Sequence, residues 1–383
     1  MTEKLYYKDA YISEFDAEVI ACEQYDSGFR ILLDKTAFFP EEGGQSSDTG
    51  YIGDARVSDV REVENKIYHY TDKPQAVGAT LGCKLDFEQR FEKMQLHTAE
   101  HIVCGIIHSL WGYENVGFHL GADVVTFDIS SPMTREMLDR VEDEANLAVF
   151  KNLPVFTSFP TAEERSLMSY RSKLDIKEGV RIVTVLGVDS CACCAPHVAR
   201  TGEIGVIKLL DFEKHRGGCR IYLTAGKRAL ADYRRRYELT KTVSGYLSKP
   251  QMVIDEAVSE LISERDELRR KLTLSEISKV KMLADAQEPT DKCKLFNIPD
   301  VSCEALREFC NVMMEKSSGY TVAVSGEGNA YRYVICKSCA DIKDFVKAAN
   351  AALSGRGGGR GSMATGSFSS SISDIESYFE GQT

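Results

Sequence analysis

No run of apolar residues approaches the ~20 that a membrane-crossing helix needs, so a role as a helical membrane protein is excluded. The opening residues, MTEKLYYKDAYISEFDAEVI, lack the apolar middle of a secretory signal, and a cytoplasmic address is expected. No tandem repeat is visible. Basic charge is also scarce overall: 47 Lys and Arg face 58 Asp and Glu, a formal net charge of −11. That argues against gripping a nucleic acid by bulk charge. Cysteine is not scarce, but the 12 are spread along a chain without an export signal, which favours reduced thiols over disulfides. Cys191, Cys193 and Cys194 crowd together, and adjacent cysteines are poor disulfide partners for one another.

What is present is an ordinary folded composition, 43% hydrophobic and 27% charged, over 383 residues, which predicts two or three domains. The first ~90 residues alternate apolar and polar between turn signals such as Glu42-Gly43-Gly44 and Asp48-Thr49-Gly50, a β-rich pattern. From Asp86 to Trp111 the period becomes helical, and strands are expected at Val124 to Ile129, Val180 to Leu186 and Ile204 to Leu210. Ile254, Val258, Leu261, Leu268 and Leu272 then trace an amphipathic helix that runs to about Ala286 and serves as a spacer or a dimer seam. A last segment predicts helices at Cys303 to Lys316 and Ile342 to Leu353 with strands at Thr321 to Ser325 and Tyr331 to Cys336, followed by Gly355 to Gly361. The fold class expected is α/β (α+β): a barrel-like β-rich subdomain (1–90), a mixed α/β domain (91–240), a helical linker (241–290) and a C-terminal α/β domain (291–383).

Charge is concentrated locally. Between Lys214 and Lys241 there are nine Lys or Arg, among them Arg220, Arg234, Arg235 and Arg236, against Asp232 and Glu238, a balance of +7. Such a segment either contacts phosphates or is a solvated helix face.

The chemistry lies elsewhere. His97 and His101 are four apart on the predicted helix, so both rings leave the same face one turn apart. Some ninety residues on, Cys193 and His197 repeat that spacing. Together they make a His3Cys set suited to zinc, with Cys191 and Cys194 as substitute ligands. His97-Thr98-Ala99-Glu100-His101 also fits HxxEH, the pattern of a zinc peptidase with Glu100 as general base, a reading that leaves the cysteine cluster idle.

Thr36 to Gln45 (TAFFPEEGGQ), Asp48-Thr49-Gly50, the His97–His101 helix, Cys193 to Val198 running into Thr201-Gly202-Glu203-Ile204-Gly205, Gly218 to Ile221 with Gly226, and the Gly355–Gly361 tract occur in one order. That series resembles the editing and C-terminal regions of alanyl-tRNA synthetase, in the free-standing editing proteins of AlaX type, long form, whose C-terminal domain is shared with DHH-type phosphoesterases. The resemblance implies hydrolysis of serine or glycine wrongly carried on alanine tRNA, with zinc on His97, His101, Cys193 and His197 and no aminoacylation or ATP-dependent activity. It implies a backbone turn of Gly43, Gly44 and Gln45 at the mouth of the site, with Thr98, Glu100 and Gln45 as candidate partners for the serine hydroxyl; the position before the second histidine, often Thr or Gln in the family, is here Glu100, a candidate general base or amine-binding carboxylate beside the metal. Contacts to tRNA would come from Arg220, Arg234, Arg235 and Arg236 and from Arg356 and Arg360, with a homodimer through the linker or the C-terminal domain. The Gly-Gly-Thr that the family places between Cys and His is here Cys194-Ala195-Pro196, which removes a hydroxyl and stiffens the turn. A non-catalytic tRNA-binding protein with a structural zinc is the other class of reading, since closed four-ligand sites are commonly structural.

Overall fold

The computed structural model describes residues 2–121, 123–172 and 179–382, and the chain divides into two compact units, Met1–Leu239 and Thr240–Thr383. The architecture is mixed α/β. None of the helices among the described residues is long and apolar enough to cross a membrane.

In the first unit β1 (Glu3–Lys4) pairs in parallel with β4 (Lys35–Thr36). Six strands, β2 (Glu14–Tyr25), β3 (Gly28–Leu33), β5 (Gly50–Ile52), β6 (Ala55–Val63), β7 (Lys66–Thr71) and β8 (Thr80–Leu85), close into a barrel in the order β2-β3-β7-β6-β5-β8. Closure removes exposed edges. Alternate side chains, among them Val19, Ile31, Leu33, Ile52, Val57, Ile67 and Leu85, pack with Phe38 and Phe39 in one core. On β6 the alternation changes phase, so that Val57 and Val60 are both buried, because the register shifts between Val57 and Asp59.

α1 (Phe87–Trp111) ends at Gly112, whose left-handed φ of 70° lets its N–H reach the His108 carbonyl at 2.7 Å. Every residue from Lys93 to Ile107 is buried, so the helix has no solvent-exposed face over that stretch. It packs with β9 (Asn115–Leu120), β10 (Val125–Ile129) and α2 (Arg135–Phe150), the last capped by the Thr134 hydroxyl. After these come β11 (Val155–Ser158), α3 (Ala162–Ser166), β12 (Ile182–Val185) and β13 (Asp189–Ala192), the three strands forming an antiparallel sheet. β14 (Ile207–His215) and β15 (Gly218–Ala225) complete a second sheet, in the order β14-β15-β10-β9. The boundary between the units falls within α4 (Gly226–Leu247). Two cations of α1 tie the loop after β4 to the helix. Arg90 Nε lies 3.0 and 2.9 Å from the Asp48 carboxylate oxygens and its Nη2 bonds the Ala37 carbonyl at 2.6 Å, while Lys93 bonds the Ser46 and Ser47 carbonyls at 3.3 and 2.6 Å.

The second unit contains α5 (Ile254–Asp285), β16 (Lys294–Asn297), α6 (Cys303–Lys316), β17 (Thr321–Glu327), β18 (Ala330–Cys336), α7 (Lys343–Ala352), β19 (Arg356–Arg360), β20 (Met363–Phe368) and α8 (Ile372–Glu380). Its sheet runs β16-β17-β18-β20-β19. Val280 and Ala284 of α5 share a core with Phe309 and Met313 of α6, against Ala323 and Val334. Val346, Ala349 and Phe379 pack with Val324, Tyr333 and Ile335 in another. The glycine tract is therefore an edge strand. Gly357 pairs with Gly366, and a Cβ at Gly357 would lie 2.4 Å from the Gly366 Cα.

Candidate metal centre and cavity

α1 presents His97 and His101, and the loop that follows β13 presents Cys193 and His197, so the two i,i+4 pairs face each other. One ligand atom from each of the four lies within 4.8 Å of all the others. Cys193 Sγ is 3.6 Å from His97 Nε2 and 3.4 Å from His197 Nε2. A tetrahedral zinc with ordinary Zn–N and Zn–S bonds holds nitrogen and sulfur about 3.5 Å apart. The donor set and its spacing fit the ion.

Each imidazole is oriented by a second contact. His97 Nδ1 is 2.9 Å from Gln45 Oε1, which leaves Nε2 to face Cys193. His197 Nδ1 is 3.0 Å from the Thr98 hydroxyl, which donates to the Met94 carbonyl at 2.7 Å and so receives the ring proton. That oxygen also accepts the Val198 N–H at 3.3 Å. His101 Nδ1 lies 3.3 Å from Asp189 Oδ2, and Arg171 holds the Asp189 carboxylate with two bonds of 2.8 Å. Such outer contacts fix the tautomer of a ligand histidine.

The electrostatics follow. Burial pushes the Cys193 thiol up, but the neighbouring His97 and His197 outweigh it and hold it well below its usual value. Burial pushes His197 down to about 3. Burial also pulls His101 down, but Asp189 and Cys193 outweigh it and hold its pKa well above the ordinary value. Cys193 as a thiolate and His197 as a neutral imidazole are in the forms that bind a metal, whereas His101 must give up the proton that Asp189 and Cys193 hold on it.

The cluster opens into a cavity of about 450 Å³. His97, His101, Glu100, Cys193 and Gly43 line it, whereas Gln45, Gly44 and Thr98 do not. Gln45 and Thr98 are fully buried behind the imidazoles. Glu100 Oε1 accepts from the Asn115 amide and, at 3.3 Å, from the Cys104 thiol, and Oε2 lies 4.0 Å from His101 Nε2. Gly43 and Gly44 take φ values of 62° and 82° in a turn closed by mutual bonds between the backbones of Glu42 and Gln45. A Cβ at Gly44 would lie 2.6 Å from the Phe118 carbonyl, so only glycine lets this turn approach β9.

The arginines expected to touch tRNA are elsewhere. Arg220 on β15 is clamped to Asp128 by bonds of 2.7 and 2.9 Å. Arg234, Arg235 and Arg236 are exposed on α4, with Arg236 paired to Asp232 at 2.6 Å, and Arg356 and Arg360 are exposed at the two ends of β19. The four metal-site residues are brought together in one cluster, and none of these arginines lines its cavity.

Several residues of the site carry no local motif. Asp189 and Arg171 orient His101; Asn115 orients Glu100. Phe118 lies against His97 with ring centroids 4.6 Å apart. Arg181 bonds the carbonyls of Cys193 and Ala195 at 2.9 and 2.8 Å. Gly105, one turn beyond His101, had a visible signal as an isolated glycine within a helical pattern. A Cβ there would lie 2.5 Å from the Asp189 Cβ, so its absence is what lets β13 approach α1.

The chain is also similar in sequence to known proteins. Residues 180–222, from just before β12 through most of β15, match the family described as the threonyl and alanyl tRNA synthetase second additional domain. The chain is 27% identical to the alanyl-tRNA editing protein AlaX-L of Pyrococcus horikoshii, over 96% of this chain and 94% of that one. It is 26% identical to the alanyl-tRNA editing protein Aarsd1-A of Xenopus laevis, over 92% and 90%. It is 29% identical to the alanine–tRNA ligase of Ignicoccus hospitalis over 95% of this chain, which spans 41% of that ligase. The chain is thus similar to proteins named alanyl-tRNA editing proteins along nearly its whole length.

Proposed function

We propose that this chain is a cytoplasmic trans-editing hydrolase that removes serine or glycine wrongly esterified to alanine tRNA, using zinc held by His97, His101, Cys193 and His197. The observation that carries the reading is the His3Cys cluster at the wall of a cavity, in a chain similar over 92–96% of its length to proteins named alanyl-tRNA editing proteins. Water adds to the ester carbonyl, the bond to the ribose oxygen breaks, and the products are a free amino acid and a tRNA with its terminal hydroxyl restored. Zinc at the cluster supplies Lewis acidity toward a carbonyl or a water.

The chain's own groups have separable tasks. Gln45 and Thr98 set the tautomers of His97 and His197, and Asp189 orients His101. Of the carboxylates that line the cavity, Glu100 is the one carried on α1 between His97 and His101, placed to take a proton from water or to receive the ammonium of the aminoacyl group. Rejection of alanine requires a group that bonds the serine hydroxyl, because a polar site discriminates strongly against a substrate lacking its partner. The exposed arginines of α4 and β19 offer phosphate contacts distant in sequence from the metal ligands. The test is to incubate the purified protein with serine-charged and alanine-charged alanine tRNA, with and without a chelator. Faster loss of serine, abolished by the chelator and restored by zinc, is the expected result. A zinc-loaded protein that leaves the serine ester intact overturns the proposal.

A further inference from the structure

We propose that Lys93 is a positioning residue for the metal site, its ammonium clamping the backbone of Ser46 and Ser47 to α1 and thereby aiming the Gln45 carboxamide at His97. The inference rests on the reading of the cluster as a zinc site. Arg90, Lys93 and His97 are spaced three and four apart on α1, so their side chains leave one face of the helix in successive turns. The loop from Phe39 to Asp48 lies along that face in the reverse order. Arg90 holds Asp48, Lys93 holds the Ser46 and Ser47 carbonyls at 3.3 and 2.6 Å, and His97 Nδ1 meets Gln45 Oε1 at 2.9 Å.

The base and the tip of this loop are fixed separately. At the base the Phe39 N–H donates to Asp48 Oδ2 at 2.6 Å, and the Asp48 N–H donates to the Phe39 carbonyl at 3.0 Å. At the tip the backbones of Glu42 and Gln45 bond each other at 3.1 and 3.0 Å, and the Gly44 carbonyl accepts the Leu120 N–H at 3.0 Å. Between them the Ser47 hydroxyl reaches Asp59 on β6 at 2.7 Å, whereas both serine carbonyls turn to Lys93.

Gln45 gives the independent observation. It is fully buried, and its Nε2 has no hydrogen-bond partner. No second bond of the carboxamide keeps its oxygen on His97, so the placement of the Gln45 backbone decides that contact. The Lys93 ammonium is buried as well and forms no ion pair among the described residues. Burial lowers its pKa, and the nearby Asp48, which opposes that, is already bonded to Arg90. A buried ammonium is costly unless acceptors meet it, and an apolar side chain of the same length carries no such cost. Packing alone therefore does not account for a lysine here, whereas two carbonyls to be fixed beside Gln45 do.

The test is metal binding without turnover. Zinc affinity is measured by chelator competition in wild type, Lys93→Met, Gln45→Ala and the double variant, beside urea unfolding of each metal-free protein. Lys93→Met should bind zinc roughly tenfold more weakly, the lower end for loss of an outer contact, and Gln45→Ala at least as weakly. The double variant should be no weaker than Gln45→Ala, because both changes act through one contact. A lysine that only stabilises the fold would move the unfolding midpoint and leave zinc affinity as in wild type, and that result overturns the proposal. So does a loss in the double variant equal to the product of the two single losses. Lys93→Gln, uncharged and one bond shorter, should match Lys93→Met, so either folded variant serves. Wild-type zinc affinity in Gln45→Ala overturns the route through His97 without any change at Lys93. A wild-type protein that binds no zinc overturns the zinc reading and this inference with it. The expected coupling in a protein that leaves the serine ester of alanine tRNA intact would refute the editing reading alone.

Discussion

Replacing Thr98 by valine removes one oxygen from behind the metal ligands and leaves most of the side-chain volume in place. That oxygen donates to the Met94 carbonyl at 2.7 Å and accepts from His197 Nδ1 at 3.0 Å and from the Val198 N–H at 3.3 Å. In Thr98→Val both donors lose their acceptor in a fully buried position, at about 1–3 kcal/mol for each, with the longer bond at the lower end. The tautomer that points His197 Nε2 at Cys193 is then no longer enforced. Losing such an outer contact lowers metal affinity about 10- to 100-fold, or roughly 1.4–2.7 kcal/mol. Zinc affinity measured by competition with a chromophoric chelator should fall by that factor. Urea unfolding of the metal-stripped protein should show a lower midpoint, and Thr98→Ser, which keeps the oxygen, should recover most of both. A Thr98→Val protein that binds zinc as tightly as wild type refutes the role given to this hydroxyl.

Three further outcomes are expected. Glu100→Gln should keep a full complement of zinc by elemental analysis while slowing serine release about 10²- to 10⁴-fold if the carboxylate is the general base; unchanged rates would assign the proton transfer elsewhere. Gly105→Ala adds a Cβ 2.5 Å from the Asp189 Cβ, and overpacking of about 1–3 kcal/mol should outweigh the ~1 kcal/mol gain in helix propensity. Its melting temperature should drop, and a rise would show that β13 yields freely. His69 is buried in the barrel between Thr36 and the Ile31 carbonyl, and burial lowers its pKa from 6.5 to about 4. The unfolded chain therefore takes up the proton first, so this stability is complete above pH 6.5 and is lost as the pH falls toward 4. The loss amounts to about 3 kcal/mol at most. Denaturant titrations at pH 7 and pH 4.5 should show a smaller acid loss in His69→Gln than in wild type; equal losses would contradict the buried neutral ring.

Much of the secondary structure is legible locally. The helix expected from Asp86 to Trp111 is α1, Phe87–Trp111, and that expected at Cys303 to Lys316 is α6 with the same bounds. The strand expected at Ile204 to Leu210 begins later, at Ile207, because Thr201–Ile204 form a 3-10 turn bonded between the Arg200 and Glu203 groups. The Gly355–Gly361 tract has the composition of a loop yet lies on a sheet edge, since Gly357 meets Gly366 where a side chain would collide. The stripe Leu261, Leu268 and Leu272 is present on α5, exposed at 55%, 56% and 61%.

The metal-site pairs were visible because a helix repeats every 3.6 residues, so His97 and His101 must share a face, and the Cys193–His197 segment repeats the spacing. Their meeting depends on α1 being buried against both the barrel loop and β13, which brings ligand atoms 96 positions apart in sequence to 3.6 Å. The roles of Gln45 and Thr98 are divided likewise: their residue types could be read, but that they bond the rear nitrogens of His97 and His197 only packing decides. Asp189, Arg171, Arg181 and Asn115 belong to no periodic pattern, because an ion pair or hydrogen bond between distant segments leaves no local signature. Side-chain chemistry and its short-range spacing are properties of the chain; the distances that turn it into a site come from long-range burial, and Gly105 is where a missing Cβ allows that approach.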